Sequence, residues 1–302
     1  MDGIINVLKP SGMTSFDVVA YLRGLLGIKK IGHAGTLDPL AVGVLPMCVG
    51  RATKVVEFLM EKDKFYRAEL TLGIITDTQD SSGKVISSVV PKASDGEIEA
   101  AVCAFVGKYP QKPPMYSALK VEGKRLYELA RNGIEIERQY REVEIYLSQV
   151  MYIDRMNGIK VLLDVHCSKG TYIRTLCADI GERLGCGGHM SFLLRKRAGP
   201  FDISAAYSLE ELAKLQKNGM VHTALLGVDM IFDGIPGLAL DENQDKKFRN
   251  GMHIPVSDSL ASSDNSTAQD LIRIYSTTGE FIALGAVTKG EGGTYLKVKK
   301  FF

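Results

Sequence analysis

Strict alternation returns several times along this chain and constrains its fold more than any other feature. Tyr66, Ala68, Leu70 and Leu72 take every second position of residues 64–72, and the same period reappears over 143–153 and 159–167. A period of two sends successive side chains to opposite faces, so each run asks for a sheet with one face against a core. Gly3–Leu8 adds a short apolar strand, stopped by Lys9-Pro10-Ser11-Gly12. Helical spacing is found at Phe16, Val18, Val19, Leu22, Leu25 and Leu26, with Thr14 or Ser15 available to cap the first turn. Further helical patterns cover 52–60, 97–106, 124–132, 171–184 and 208–218. Strands outnumber these helices and come in consecutive, hairpin-like runs. The expectation is an α+β domain built on a mainly antiparallel sheet.

The punctuation Asp233-Gly234-Ile235-Pro236-Gly237 predicts a boundary, with a large unit over 1–234 and a small all-β unit over 235–302. In the tail, Leu271–Tyr275, Phe281–Val287 and Thr294–Val298 read as strands between glycines, and the Ser-rich 257–270 reads as an exposed, mobile loop. With 302 residues, 45% hydrophobic and 24% charged, the chain can bury most of its unfolded surface without a disulfide or metal staple. Its five cysteines form no Cys-x-x-Cys pair, which predicts reduced and mostly buried thiols. No apolar run reaches the length of a membrane span, and the start shows no signal-like core. The expected compartment is the cytoplasm, with no membrane contact. A net charge of +2 neither demands nor excludes a nucleic-acid partner.

One segment holds an unusual carboxylate. Within Gly32-His33-Ala34-Gly35-Thr36-Leu37-Asp38-Pro39-Leu40-Ala41-Val42-Gly43-Val44-Leu45-Pro46, Asp38 stands alone in a Gly-rich loop walled by Leu37, Leu40 and Leu45. Asp38 followed by Pro39 also fits a helix N-cap and first-turn pair. A desolvated carboxylate is costly and persists only with a cationic partner or a task. Arg174 is the candidate partner: the strand 161–167 turns through glycine into a helix whose first turn carries Tyr172 and Arg174. An arginine there can equally decorate a surface. Tyr66 lies on the apolar face of its strand, as core or as pocket floor, and its hydroxyl needs a partner either way.

Residues 108–141 interleave Lys108, Lys112, Lys120, Lys124, Arg125, Arg131, Arg138 and Arg141 with tyrosines, a mixture suited to phosphate neutralisation and base stacking. Glu122, Glu128, Glu135, Glu137 and Glu142 offset much of that charge. His189 and Arg195-Lys196-Arg197 form a shorter basic patch. Neither phosphate-loop nor metal-ligand spacing occurs, so no nucleotide triphosphate and no metal is expected. Residue types and spacing alone do not give the reaction.

The same segments closely resemble the bacterial tRNA pseudouridine-55 synthase (TruB) family. Lys9-Pro10-Ser11-Gly12-Met13-Thr14-Ser15 is similar to its first motif, and Gly32–Ala41 to its catalytic loop. Asp63–Arg67, Pro114–Lys120 and Cys167–Thr175 resemble later blocks in the right order, and the likeness runs from about residue 3 to 215. The tail resembles the family's small PUA-like RNA-binding domain. The resemblance implies a mixed-sheet pseudouridine synthase catalytic domain over 1–234, with an RNA-gripping insertion at about 108–141, and a PUA-like domain over 235–302.

What the family implies is isomerisation of the T-loop uridine 55 of tRNA to pseudouridine. The N-glycosidic bond breaks, the uracil turns, and a carbon–carbon bond to the same ribose forms, with no cofactor. By the same resemblance Asp38 is the catalytic carboxylate, kept ionised by Arg174. Tyr66 stacks on the flipped uracil, His33 fills space near the vacated stack, and Tyr172 and Leu193 contact substrate. Flipping costs a few kcal/mol, and aromatic stacking returns about 1–3 kcal/mol. One departure stands out: the family often has consecutive arginines after the leucine matching Leu193, whereas Leu194 precedes Arg195 here. The implied partner is tRNA, met by a monomer without a protein partner. Two rival readings are an RNA-folding helper with a vestigial site and a guide-dependent synthase that needs partner proteins.

Overall fold

The structure is a computed structural model that describes every residue except 118, 122, 258–270 and 291–292. The alternating runs lie side by side. Strands β1 (Gly3–Lys9), β2 (Ile31–His33), β3 (Val42–Val49) and β4 (Lys64–Leu72) lead into the hairpin of β5 (Ile74–Thr76) and β6 (Val85–Ser88). Then come β7 (Gly107–Gln111), the small hairpin of β8 (Lys120–Val121) and β9 (Lys124–Arg125), and the long β10 (Arg141–Asp154). β11 (Lys160–Cys167), β12 (Gly188–Ala198) and β13 (Phe201–Asp202) complete the large unit. A nine-stranded sheet runs β1-β3-β12-β4-β11-β10-β7, with β2 on β3 and β13 on β12. Its neighbours pair antiparallel except β12 with β3. It is the mixed, mainly antiparallel sheet that the alternation predicts.

Helices α1 (Ser15–Leu26), α2 (Val56–Met60), α3 (Asp95–Cys103), α4 (Leu126–Arg131), α5 (Ile173–Arg183) and α6 (Leu209–Lys217) connect the strands. Thr14, not Ser15, caps α1. Its hydroxyl accepts from Asp17 N at 3.0 Å while the Asp17 carboxylate accepts from Thr14 N at 2.8 Å, a reciprocal cap worth about 1 kcal/mol. Along β4 the buried positions are Lys64, Tyr66, Ala68, Leu70 and Leu72. Tyr66, Ala68, Leu70 and Leu72 join Ile98 and Val102 of α3 and Leu176 and Ile180 of α5 in one core. Tyr66 therefore reaches the side of the sheet on which α5 begins. That beginning has an unusual cap: Gln111, fully buried on β7, accepts from Tyr172 N at 2.8 Å and donates to Tyr172 O at 3.0 Å.

The tail forms a second sheet from β14 (Gly237–Ala239), β15 (Ile254–Val256), β16 (Leu271–Tyr275), β17 (Phe281–Gly290) and β18 (Gly293–Phe301), in the order β14-β16-β17-β18-β15. One helix, α7 (Glu242–Arg249), packs on it through Phe248. The loop expected over 257–270 lies, apart from Ser257, outside the described residues. Cys48, Cys167 and Cys177 are buried as expected, but Cys103 is exposed and Cys186 half-buried. Cys103 ends α3, off the face through which Ile98, Ala101 and Val102 enter the core.

Candidate active site

The loop from Ala34 to Ala41 joins β2 to β3 and is fastened by its main chain. Ser15 Oγ bridges both polar groups of Leu37, accepting from its N–H at 2.9 Å and donating to its carbonyl at 3.2 Å. Lys9 Nζ, completely buried, donates to the carbonyls of Pro10 (2.8 Å), Pro39 (3.1 Å) and Ala41 (2.7 Å). Arg195, 1% exposed, donates to Val44 O at 2.7 Å, Gly35 O at 3.0 Å and Thr36 O at 3.4 Å. Among the described residues neither cation has a carboxylate within 4.0 Å, so backbone carbonyls carry the cost of burying them. Burial lowers the Lys9 pKa to about 8. The helix cap allowed for Asp38-Pro39 does not form. The chain closes one turn, Ala41 N to Asp38 O at 3.1 Å, and the carbonyls that would propagate a helix are already held by Lys9.

This fastening leaves the Asp38 side chain 40% exposed, with Arg174 Nε 3.1 Å from its Oδ2. Arg174 is buried and fully engaged. Its Nη2 donates to Tyr116 O at 2.7 Å, and its Nη1 donates to Thr78 O at 3.3 Å and lies 3.4 Å from Asp80 Oδ2. The second carboxylate is oriented by Thr78 Oγ1 and Ser82 N, at 2.7 and 2.9 Å from Asp80 Oδ1. Burial pushes the Asp38 carboxyl above the usual carboxylate range; Arg174 opposes this, Asp80 adds to it, and Lys9 opposes it. Arg174 was expected to keep Asp38 ionised; it does favour the charged form, but burial is the larger influence. Asp80 escaped the sequence reading because Asp77–Gly83 has the composition of an ordinary turn, 94 residues from its arginine.

The structure brings Tyr66 and Leu193 into one buried cluster with Leu37, beneath the Asp38 loop. Tyr66 is 8% exposed. Burial raises its pKa, and the nearby charge of Arg195 opposes this. Tyr172, at the start of α5, is half-buried and close enough to feel the charges of Arg141, Arg174 and Asp38. His33 is half-buried on β2, with Nδ1 buried and unpartnered and its pKa lowered by burial and then by Arg195.

The two basic stretches divide. In the insertion, Lys108 pairs with Glu142 and Arg138 with Glu135, while Lys112 and Arg141 are exposed. The patch at His189 and 195–197 is not a surface for phosphate. His189 and Arg195 are buried, and Lys196 and Arg197 pair with Asp164 and Asp63. The period of the strand, broken by a bulge between Arg195 and Arg197, scatters these cations over both faces.

Comparison with known proteins picks out the same segments. A model of the N-terminal domain of TruB family pseudouridylate synthases matches residues 23–173, and one of the tRNA pseudouridylate synthase B C-terminal domain matches 174–232. The tRNA pseudouridine synthase B of Alkaliphilus oremlandii is 46% identical over 299 residues, 99% of this chain and 97% of that protein. The chain belongs to the TruB family of pseudouridylate synthases. The like-named protein of Clostridioides difficile is 44% identical over 100% of both chains. Among solved structures, a Cbf5-Nop10-Gar1 complex matches with a TM-score of 0.74 and 28% identity, over 99% of this chain and 84% of the other. An H/ACA RNP bound to a substrate RNA containing 2′-deoxyuridine matches at 0.73 and 26%, with the same coverage. The fold is therefore that of a TruB-family synthase, and residues beyond 232 lie outside both family matches.

Proposed function

We propose that this TruB-family chain converts uridine 55 in the T-loop of tRNA to pseudouridine, with Asp38 as the catalytic carboxylate. The observation that carries the reading is the Asp38–Arg174 pair at 3.1 Å, near enough to the buried Tyr66 for its hydroxyl to feel the Asp38 charge. The likeness to proteins named tRNA pseudouridine synthase B over the whole chain supports tRNA as the substrate. It also favours action on tRNA without a guide, by a monomer in the cytoplasm. No helix among the described residues is long and apolar enough to cross a membrane.

In this reading the uridine leaves its stack and comes to Asp38, with the uracil against Tyr66 and Leu193. Tyr172 and His33 border the same nucleotide. Attack on C1′ and removal of the C2′ proton both start from ionised Asp38, which Arg174 favours. The N1–C1′ bond breaks, the uracil turns, and C5 bonds to C1′. The C5 proton is then lost and N1 gains one, so the product is an isomer and needs no redox partner. Apolar walls keep water from trapping the sugar between the two bonds. The insertion at 108–141 would grip the RNA, with Lys112 and Arg141 free for phosphate. The tail over 235–302 would act as a PUA-like RNA module. Because C5 loses its hydrogen, a tRNA transcript tritiated at uridine C5 tests the reaction. The chain should release one tritium per tRNA and Asp38→Asn none; equal release by both would overturn the role of Asp38.

A further inference from the structure

Among the described residues, Gln79 is the one non-glycine with a left-handed backbone, at φ +62°. Such a conformation persists only where its surroundings over-determine it, and outliers of this kind cluster at functional sites. Gln79 is held at three points. Its N–H donates to Thr76 O at 3.2 Å, its carbonyl accepts from Met190 N at 3.0 Å, and its Oε1 accepts from Thr175 Oγ1 at 3.0 Å. Ser81 N returns to Met190 O at 3.1 Å, which sews the same loop to β12. The alternative acceptor for the Thr175 hydroxyl, Lys112 O, is farther away at 3.5 Å.

This side-chain bond joins two segments whose neighbouring residues meet at one guanidinium. Thr175 is buried and adjoins Arg174 on α5; Gln79 lies between Thr78 and Asp80, which both address Arg174 Nη1, at 3.3 and 3.4 Å. We propose that Gln79 and Thr175 are positioning residues, a hydroxyl-to-amide latch that fixes how Arg174 is shared between Asp80 and Asp38. The inference rests on the reading of Asp38 as the catalytic carboxylate. The twist at Gln79 turns the Thr78 carbonyl and the Asp80 carboxylate toward one guanidinium nitrogen, and the latch keeps that loop from drifting along α5.

The groups that face Asp38 are Arg174, Asp80, Lys9 and the hydroxyls of Tyr66 and Tyr172. Of these, only Asp80 and Arg174 are placed by the latch. Releasing it withdraws the like charge of Asp80 and leaves Arg174 shared with one carboxylate fewer. Asp38 then ionises at lower pH, and a less basic carboxylate is also a weaker base and nucleophile.

The test compares Thr175→Val, which keeps the volume and removes the hydroxyl, with Thr175→Ser, which keeps the hydroxyl. Steady-state tritium release is measured from about pH 3.5 to 9, for kcat and KM. Thr175→Val should lose about tenfold in kcat with KM within about twofold, and its acid limb should move to lower pH. Thr175→Ser should stay within about twofold of the unsubstituted chain. An unchanged kcat and acid limb in Thr175→Val overturns the latch, as does an equal loss in both variants. If Thr175→Val does not fold, Gln79→Asn replaces it. Asparagine tolerates the left-handed backbone but is one methylene too short, and normal turnover by that variant overturns the latch. Carbon-13 NMR titration of the Asp38 carboxyl reads the same effect without turnover. It judges the latch even if the unsubstituted chain releases no tritium, a result that would instead overturn the reaction.

Discussion

Asp38 is held under opposed electrostatic pressures, and their balance makes predictions that either pressure alone would not. The folded protein raises its pKa, so folding disfavours the ionised form relative to the unfolded chain. Stability linked to this group is unaffected below the unfolded-state pKa of about 3.9 and falls as pH rises from there through the raised value. Asp38→Asn removes that penalty and leaves Arg174 with Asp80 and two carbonyls. Its thermal midpoint at pH 7 should equal or exceed that of the unsubstituted chain, with tRNA affinity within about threefold, while turnover disappears. A clear loss of stability would mean that the pair with Arg174 outweighs burial. In the proposed reaction activity follows the opposite direction in pH, because turnover there starts from the ionised carboxylate. The acid limb of kcat/KM, which reports the free protein, should lie above the ordinary aspartate value, and a limb at or below it would contradict the raised pKa. Asp38, Arg174 and Tyr66 were legible as a suspicious carboxylate, a possible partner and a buried phenol. Asp80 was not, because only tertiary structure carries it across to Arg174.

At the level of elements, the Asp38 loop is held by carbonyls that point at Lys9 and Arg195, and this requires a close approach of two strands. Gly43 meets the Arg195 backbone so tightly that an added Cβ would lie 2.2 Å from its carbonyl oxygen, and its φ of +114° is itself unsuited to a side chain. Gly43→Ala should therefore lower stability by about 2–4 kcal/mol and reduce turnover together, read as a shift in the urea midpoint at constant slope. A variant of normal stability would show that β3 and β12 can separate freely. Alternation made β4, β10 and β11 readable because one face of each enters a core while the other is wetter. The helix α7 left no such trace, since Phe248 is its one buried residue and a single apolar position makes no stripe. The 195–197 cations misled for a related reason: alternation and the bulge send Arg195 into the interior, and Lys196 and Arg197 meet acidic partners on the other face.

Across the whole molecule, the tail does not hang free. Phe281 and Phe302 close over Phe58 and Phe232 of the large unit, with ring centroids 5.5–6.1 Å apart across the seam, and Lys300 pairs with Glu57. Removing residues 236–302 should uncover this aromatic seam and cost about 2–4 kcal/mol, while weakening tRNA binding more than it slows the chemical step. Equal tRNA affinity with and without the tail would show that it is a structural buttress and not an RNA module. The central claim is tested most directly on the purified chain with an unmodified tRNA transcript, a chelator and no added cofactor. Pseudouridine is then mapped by carbodiimide labelling and primer extension, since isomerisation leaves the mass unchanged. The account predicts one new stop, reporting the T-loop uridine 55; tRNA that binds but yields no stop there would contradict it.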